Sequence, residues 1–289
     1  MGMRIRTNVM SLVAQRHLTN NSNNVGESVE KLASGQRINR SKDDSAGLAI
    51  SETMRGRMRG LDQAKRNASD AVSMLQVAEG GMAEMTNLLI RMRELTVQAA
   101  TDTVGDAERG FLNREYTQLA DEIDRIAATT EFNGRKFFVS ENSLDKYTIQ
   151  VGTNWDETGV DTIGINLEGL RFNTETLGLG KESEIGPLEG TEGPMRDEIA
   201  NKLSVIDTSL GMIAKERANL GALQSRFDTT INNLSTSVEN LGAAKSRITD
   251  TDFAAETANL AKNQILSQAS LSVLAQANQI PEMALTLLR

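Results

Sequence analysis

The hydrophobic positions of the second half of the chain fall on one heptad seam. Ile199, Leu203, Ile206, Leu210, Ile213, Leu220, Phe227, Ile231, Leu234, Val238, Leu241 and Ile248 lie on it, and only Arg217, Gln224 and Lys245 interrupt it. Each buried Leu, Ile or Phe contributes about 1.5–3 kcal/mol, so the seam predicts a packed coiled coil. In the first half, no proline falls between Ala46 and Ala100. Met54, Met58, Leu61, Ala68, Val72 and Leu75 form one stripe there, and Met85, Leu88, Met92, Leu95 and Ala99 a second on a displaced face. A helix with two apolar faces touches more than one neighbour. At 1.5 Å per residue it would run about 75–80 Å, which predicts a rod. Leu112, Tyr116, Leu119, Ile123 and Ile126 predict another helix of the same bundle. Asn133-Gly134 stops it, a pair suited to a tight turn with positive φ.

The middle changes period. Tyr147, Ile149 and Val151 alternate with polar residues, as do Ile163, Ile165 and Leu167, which predicts a β-hairpin. Gly178, Gly180, Gly186, Gly190 and Gly193, with Pro187 and Pro194, then mark an irregular and exposed segment. Pro194, followed by Asp197 and Glu198, suits the first turn of the returning helix. The fold class is therefore mainly α: a long antiparallel coiled-coil rod or bundle made by the two halves, with a small β-hairpin region in the middle. Leu61, Leu75, Leu119, Ile123, Leu203, Leu210, Phe227, Leu234 and Leu241 are the expected rod core.

Both ends differ from this body. Asn263 to Pro281 holds no charged residue, although the chain is 24% charged. Gln264, Gln268, Gln276, Asn278 and Gln279 interrupt it too often for a membrane span. Such a helix suits burial among neighbours on most sides, where an amide finds a partner and a bare charge does not. Between Arg6 and Glu27 the only formal charge is Arg16, and asparagines crowd the segment. Asparagine is a poor helix former, so a disordered tail is one reading. Against it, Val9, Leu12, Val13 and Leu18 keep a rough helical spacing, and the two ends read as partners. Ser41 with Asp44 fits a capping box, and Asp106 is a candidate cap beyond the turn that starts at Thr101.

Composition narrows the chemistry. A net charge of −8 argues against a nucleic-acid partner. Cysteine is absent, which removes disulfides, thiolate metal sites and cysteine nucleophiles. The apolar run Val9 to Ala14 is short and Gln15-Arg16-His17 ends it without a cleavage-site pattern, so neither a secretory signal nor a membrane anchor is expected. His17 is the only histidine, so no Ser-His-Asp device or multi-histidine metal centre is expected. Gly178 to Ser183 resembles a phosphate loop but lacks its first glycine and the Ser or Thr after Lys181. Asp43-Asp44 and Asp250-Thr251-Asp252 are better explained as helix caps than as a cation site. Asn67-Ala68-Ser69 fits a glycosylation triplet on a helix face. Glu115, Asp121, Glu122 and Asp124 read as a solvated helix face. No catalytic site, cofactor or metal is expected.

Ser34-Gly35-Gln36-Arg37-Ile38-Asn39-Arg40, Asp43-Asp44-Ser45-Ala46-Gly47-Leu48-Ala49-Ile50, Ile90-Arg91-Met92-Arg93-Glu94-Leu95 and Glu131-Phe132-Asn133-Gly134 resemble the N-terminal signatures of bacterial flagellin. Ala244 to Ala254 and the ending Ala284 to Arg289 resemble its C-terminal pattern. The resemblance covers nearly the whole chain and is specific at both ends. It implies an inner terminal coiled coil of residues 1–42 and 249–289, and a rod of 43–248 with the hairpin and irregular segment at about 142–193. Only that segment is available for outer domains, so the chain looks like a short flagellin without large inserted ones. The implied function is a structural subunit, and no enzyme, that self-polymerises into the extracellular filament for motility, its termini ordering on assembly.

Val9, Leu12, Val13, Leu18, Leu260, Ile265, Leu266, Leu271, Leu274, Leu287 and Leu288 are the expected assembly positions. The implied partners are other subunits in a helical homopolymer, an export chaperone on the C-terminal helix, hook-associated and cap proteins, and an animal innate immune receptor, with no nucleic acid and no membrane insertion. Export without a cleaved signal peptide follows from the same resemblance. For the receptor, Arg91, Leu95 and Glu115 stand at the matching positions, while Ile90 departs from the polar residue usual there. Within the seam, Leu95 also reads as core and Arg91 as a subunit contact. Two alternatives are an adaptor of the same family at the hook–filament junction and a secreted receptor-binding coiled coil.

Overall fold

The computed structural model describes residues 8–139, 146–154, 159–166, 168–180, 185 and 196–286. In order they form helices α1 (Val9–Ser34), α2 (Ser45–Ala99) and α3 (Asp106–Thr129), strands β1 (Glu131–Phe132), β2 (Arg135–Lys136), β3 (Lys146–Gln150) and β4 (Thr162–Asn166), a 3-10 turn (Glu168–Leu170), and helices α4 (Arg196–Thr249) and α5 (Phe253–Thr286). The mainly helical reading with a central hairpin is what is observed. Two compact units result: Met1–Met58 with Glu239–Arg289, and Arg59–Val238. This division falls within α2 and α4. The expected segment boundaries, at Lys42 and Thr249, lie at turns, the only punctuation that a sequence of continuous helices offers.

The unit from Arg59 to Val238 is organised by the seam. Leu75, Met82, Met85, Leu89, Met92 and Leu95 of α2, Tyr116 and Ile123 of α3, and Ile199, Ile206, Ile213, Leu220 and Phe227 of α4 share one buried core. Of the expected rod core, Leu75, Ile123, Phe227 and Leu234 are buried, whereas Leu61, Leu119, Leu203, Leu210 and Leu241 are half-buried. Arg109 closes the end of α2, its Nε donating to Ala99 O at 3.0 Å. Asp106 is the first residue of α3 and not its cap; Gly105 holds that place without a side-chain bond.

Asn133 (φ 52°) and Gly134 (φ 75°) make the tight turn between β1 and β2, the left-handed pair that such a hairpin needs. β3 and β4 pair antiparallel, with Tyr147 opposite Ile165 and Ile149 opposite Ile163. Ile163 and Ile165 face the core; Leu167 lies outside the described residues. The hairpin is tied to α2 by Asn67, whose Nδ2 donates to Gln150 O at 3.1 Å. The nitrogen that a glycan would take is therefore engaged.

The glycine-rich segment departs from expectation. Leu177, Leu179 and Ile185 are buried, because neighbouring helices satisfy the irregular backbone. Asp124 of α3 accepts from Thr174 N and Oγ1 at 2.8 and 2.7 Å. Asn113 Oδ1 accepts from Ile185 N at 2.9 Å, and Ser209 Oγ donates to Leu177 O at 3.0 Å. Asp124 is thus a loop clamp, where helical periodicity alone suggested a solvated carboxylate. Gly186, Pro187, Gly190, Gly193 and Pro194 lie outside the described residues, and so does the expected proline start of α4.

Phe227 has no exposed surface and lies within the shared core. Phe227→Ala is expected to cost about 3–5 kcal/mol in urea unfolding of the monomer. A loss below about 1 kcal/mol contradicts this account of the core.

Candidate assembly surface on the terminal helices

α1 and α5 lie side by side and antiparallel, partner numbers falling along α5 as they rise along α1. Asn8 caps α1, its Oδ1 accepting from Ser11 N at 3.1 Å, while its Nδ2 donates to Ala277 O at 2.7 Å. Ser11 Oγ donates to Asn278 Oδ1 at 2.8 Å, and Asn21 Nδ2 to Ser270 Oγ at 3.0 Å. The asparagines that count against a helix by propensity are used here as cross-helix donors. What becomes buried in this unit's helix pair is small: Ser11, Ala14, Ser28 and Ala277.

The large apolar side chains face outwards. Val9 is 55% exposed, Leu12 56%, Ile265 65% and Leu271 52%, with Val13 and Leu266 less so. Leu18, Leu260 and Leu274 are half-buried; Leu287 and Leu288 lie outside the described residues. Met10, Val29, Phe253, Val273 and Ile280 extend the exposed apolar surface. Val273 and Ile280 fall in the uncharged stretch expected to be surrounded on most sides, and apolar positions go all round α5; Met10, Val29 and Phe253 were not among the expected positions. Between the helices an open groove of about 480 Å³ runs past Met10, Val13, Ala14 and Leu266, with His17 at its wall.

The signature residues build the corner that starts this pair. Gly35 ends α1 in the left-handed region, φ 69°. Arg37 N then donates to Thr249 O at 2.6 Å and Thr251 N to Gly35 O at 3.0 Å, so the turn before α2 and the turn before α5 form a two-way bridge. Arg37 Nη2 adds a bond to Ile248 O at 2.8 Å. The capping box expected at Ser41 is not formed. Asp44 caps α2, its Oδ1 accepting from Gly47 N at 2.8 Å, and a Cβ on Gly47 would collide with the Asp44 carboxylate and with Ile38. Asp43 turns the other way, Oδ2 accepting from Asn39 N and Arg40 N at 3.1 and 2.9 Å. Asp252 caps α5 through Ala254 N and Ala255 N at 2.9 and 3.2 Å.

Charge pairs flank the corner: Lys42 with Glu27 at 2.5 Å and Arg40 with Glu30 at 2.8 Å. The hydrogen bond and charge of Lys42 hold the Glu27 carboxyl below its ordinary range. The backbone N–H groups of Arg40 and Asn39 do the same for Asp43.

In the other unit, Arg91 is exposed and reaches both Glu94 and Glu115 at 2.9 Å, which raises its pKa. Leu95 is only 1% exposed and belongs to the core, while Ile90 is 46% exposed. Among the described residues no group of three or more His, Asp or Glu side chains is placed to hold a metal ion, and no helix is long and apolar enough to cross a membrane.

The profile of the bacterial flagellin N-terminal helical region matches residues 5–143, and that of the bacterial flagellin C-terminal helical region matches residues 203–288. The chain is 40% identical over 313 residues to a flagellin of Bacillus subtilis (strain 168), covering 99% of this chain and 100% of that one. It is 40% identical over 287 residues to a flagellin of Halalkalibacterium halodurans, again covering 99% and 100%. A solved structure of a putative flagellar hook-associated protein from Vibrio parahaemolyticus aligns with a TM-score of 0.62 at 16% identity, over 72% of this chain and 100% of that one, a likeness of fold alone.

Glu27 and Asp43 have lowered folded-state values, so their contribution is present above the unfolded carboxylate pKa, about 4, and is lost as pH falls through the folded values. In polymerised material, where α1 is ordered, the melting-temperature gap between the wild type and E27Q/D43N is therefore expected to shrink from about pH 5 to about pH 3. A gap that stays constant contradicts the assignment.

Proposed function

This chain belongs to the bacterial flagellin family, and we propose that the outward apolar faces of α1 and α5 are the surfaces that neighbouring subunits bury. As a flagellin it is a structural subunit of the extracellular flagellar filament and serves motility; it is of the short form, without a large inserted domain. The observation that carries the proposal is the distribution of side-chain sizes in the terminal pair. A stable isolated hairpin puts its large apolar residues between its helices and its polar ones outside. Here Ala14 and Ala277 are inside while Ile265 and Leu271 are outside. Ordering costs about 1–2 kcal/mol per residue in backbone entropy, and an interface of Ser and Ala recovers little of it. The pair gains its stability on assembly, and its termini order there.

The same faces support a reading of the export and filament-end partners, and a separate surface supports the immune one. Before export, α5 needs a cover for its apolar circumference, which an export chaperone on the C-terminal helix supplies. The route is the flagellar export channel. Hook-associated and cap proteins with similar termini would meet the filament ends through the same faces. For an animal immune receptor, the exposed Arg91–Glu115 pair supports a recognised surface. Leu95 acts beneath it as core, positioning Arg91 one turn away.

Two tests separate assembly from folding. I265D/L271D changes two exposed residues, so monomer stability is expected to move by no more than about 0.5 kcal/mol for each. Elongation on filament seeds is expected to fall at least about tenfold, the rate equivalent of 1.4 kcal/mol. Normal elongation by this variant would sink the proposal. Deleting residues 263–289 is expected to abolish polymerisation and leave a soluble helical protein. Addition of only one layer to seeds by the unmodified chain would point to a junction adaptor instead.

A further inference from the structure

Two of the three seam interruptions in α4, Arg217 and Gln224, stand one heptad apart. Both turn to the same group on α2. Gln224 Nε2 donates to Glu79 Oε2 at 3.1 Å, and Arg217 Nη2 lies 3.8 Å from Glu79 Oε1. The Arg217 contact is a charge pairing too long for a hydrogen bond, and its Nε is buried with no partner of its own. The layers on either side are apolar: Leu75 and Met82 flank Glu79 along α2, and Leu220 and Phe227 flank Gln224 along α4, all in the buried core.

We propose that Glu79, Arg217 and Gln224 form a polar layer that selects the axial register of α4 against α2. A heptad seam is degenerate, since sliding one helix by seven residues brings apolar layers opposite apolar layers again. The breaks remove that degeneracy. In the observed register one carboxylate lies between Arg217 and Gln224 and serves both. A slide of one heptad in one direction keeps Arg217 beside Glu79 and carries Gln224 among apolar α2 side chains. A slide in the other direction keeps Gln224 and strands the guanidinium, the costlier error, because a charge without a partner in an apolar layer is strongly penalised. Only one register satisfies all three groups. Each is half-buried, wet enough to lower the cost of the layer and dry enough for a mismatch to be felt. This role concerns the monomer and holds whether or not the terminal pair drives polymerisation.

The chain has no cysteine, so spin labels at S73C and T229C, both exposed positions on α2 and α4, report the register in the full-length monomer by pulsed dipolar spectroscopy. With the layer intact, one narrow distance population is expected. In E79L/R217L/Q224L a second population is expected, reflecting a helix displacement of about 10 Å, the rise of one heptad, with helicity retained. The charge-swapped E79R/R217E restores opposite charges across the layer and is expected to keep a single population. A single narrow, unshifted population in the all-leucine variant overturns the proposal. So does unfolding of that variant, since the layer would then supply stability and not choice. Two populations in the charge swap also count against it, because pairing across the layer would then not determine register.

Discussion

Everything specific about the terminal unit follows from how little α1 and α5 can bury against each other. Two helices that meet through Ser11, Ala14, Ser28 and Ala277 approach closely and exchange hydrogen bonds through Asn8, Ser11 and Asn21. Among the described residues they bury none of their large apolar side chains fully, with Leu18, Leu260 and Leu274 only half-buried. Hydrophobic burial is the main favourable term in folding, so a pair built this way needs further partners. Its polar contacts set which residues face each other, and its outward Val, Leu and Ile side chains set how many neighbours it needs.

The corner supplies what the interface lacks. Gly35, Arg37, Thr249 and Thr251 join the two turns backbone to backbone, and Asp44 and Asp252 start the helices that leave them. Fixing both turns determines which end of α1 meets which end of α5 without burying a large residue. Gly47 has the same purpose: the room beside its Cα is already taken by Asp44 and Ile38. In the other unit the arrangement is reversed. Large side chains such as Phe227, Leu89 and Met92 fill the core, and the polar groups of the seam discriminate between registers.

The helices, their stripes and the central hairpin were legible in the sequence because periodicity is a property of the backbone and is repeated over many residues. The partnership of the two ends was legible through their shared lack of charge. Three kinds of detail were not. Asp44 and Asp252 cap helices as their type suggested, but the capping box at Ser41 was misplaced, because Ser41 and Asp44 are both good caps by residue type and only the path of the chain decides which one meets the first free N–H groups. Asp124 and the buried Leu177, Leu179 and Ile185 were missed since a glycine-rich loop carries no periodic signal, and its burial depends on hydrogen bonds from α3 and α4. Met10 and Phe253 were missed as assembly residues because helix stripes show which side chains turn inwards, while here the outward face matters.

On this reading the terminal helices owe their stability to neighbouring subunits. Hydrogen exchange of the α1 and α5 amides, measured in the monomer and in polymerised material, tests it directly. Fast exchange is expected in the monomer and protection higher by at least about a hundredfold after assembly, equivalent to roughly 2.7 kcal/mol, with the Phe227 region protected in both states. Equal protection of α1 and α5 before and after assembly would show that the pair is stable alone, and would contradict the account.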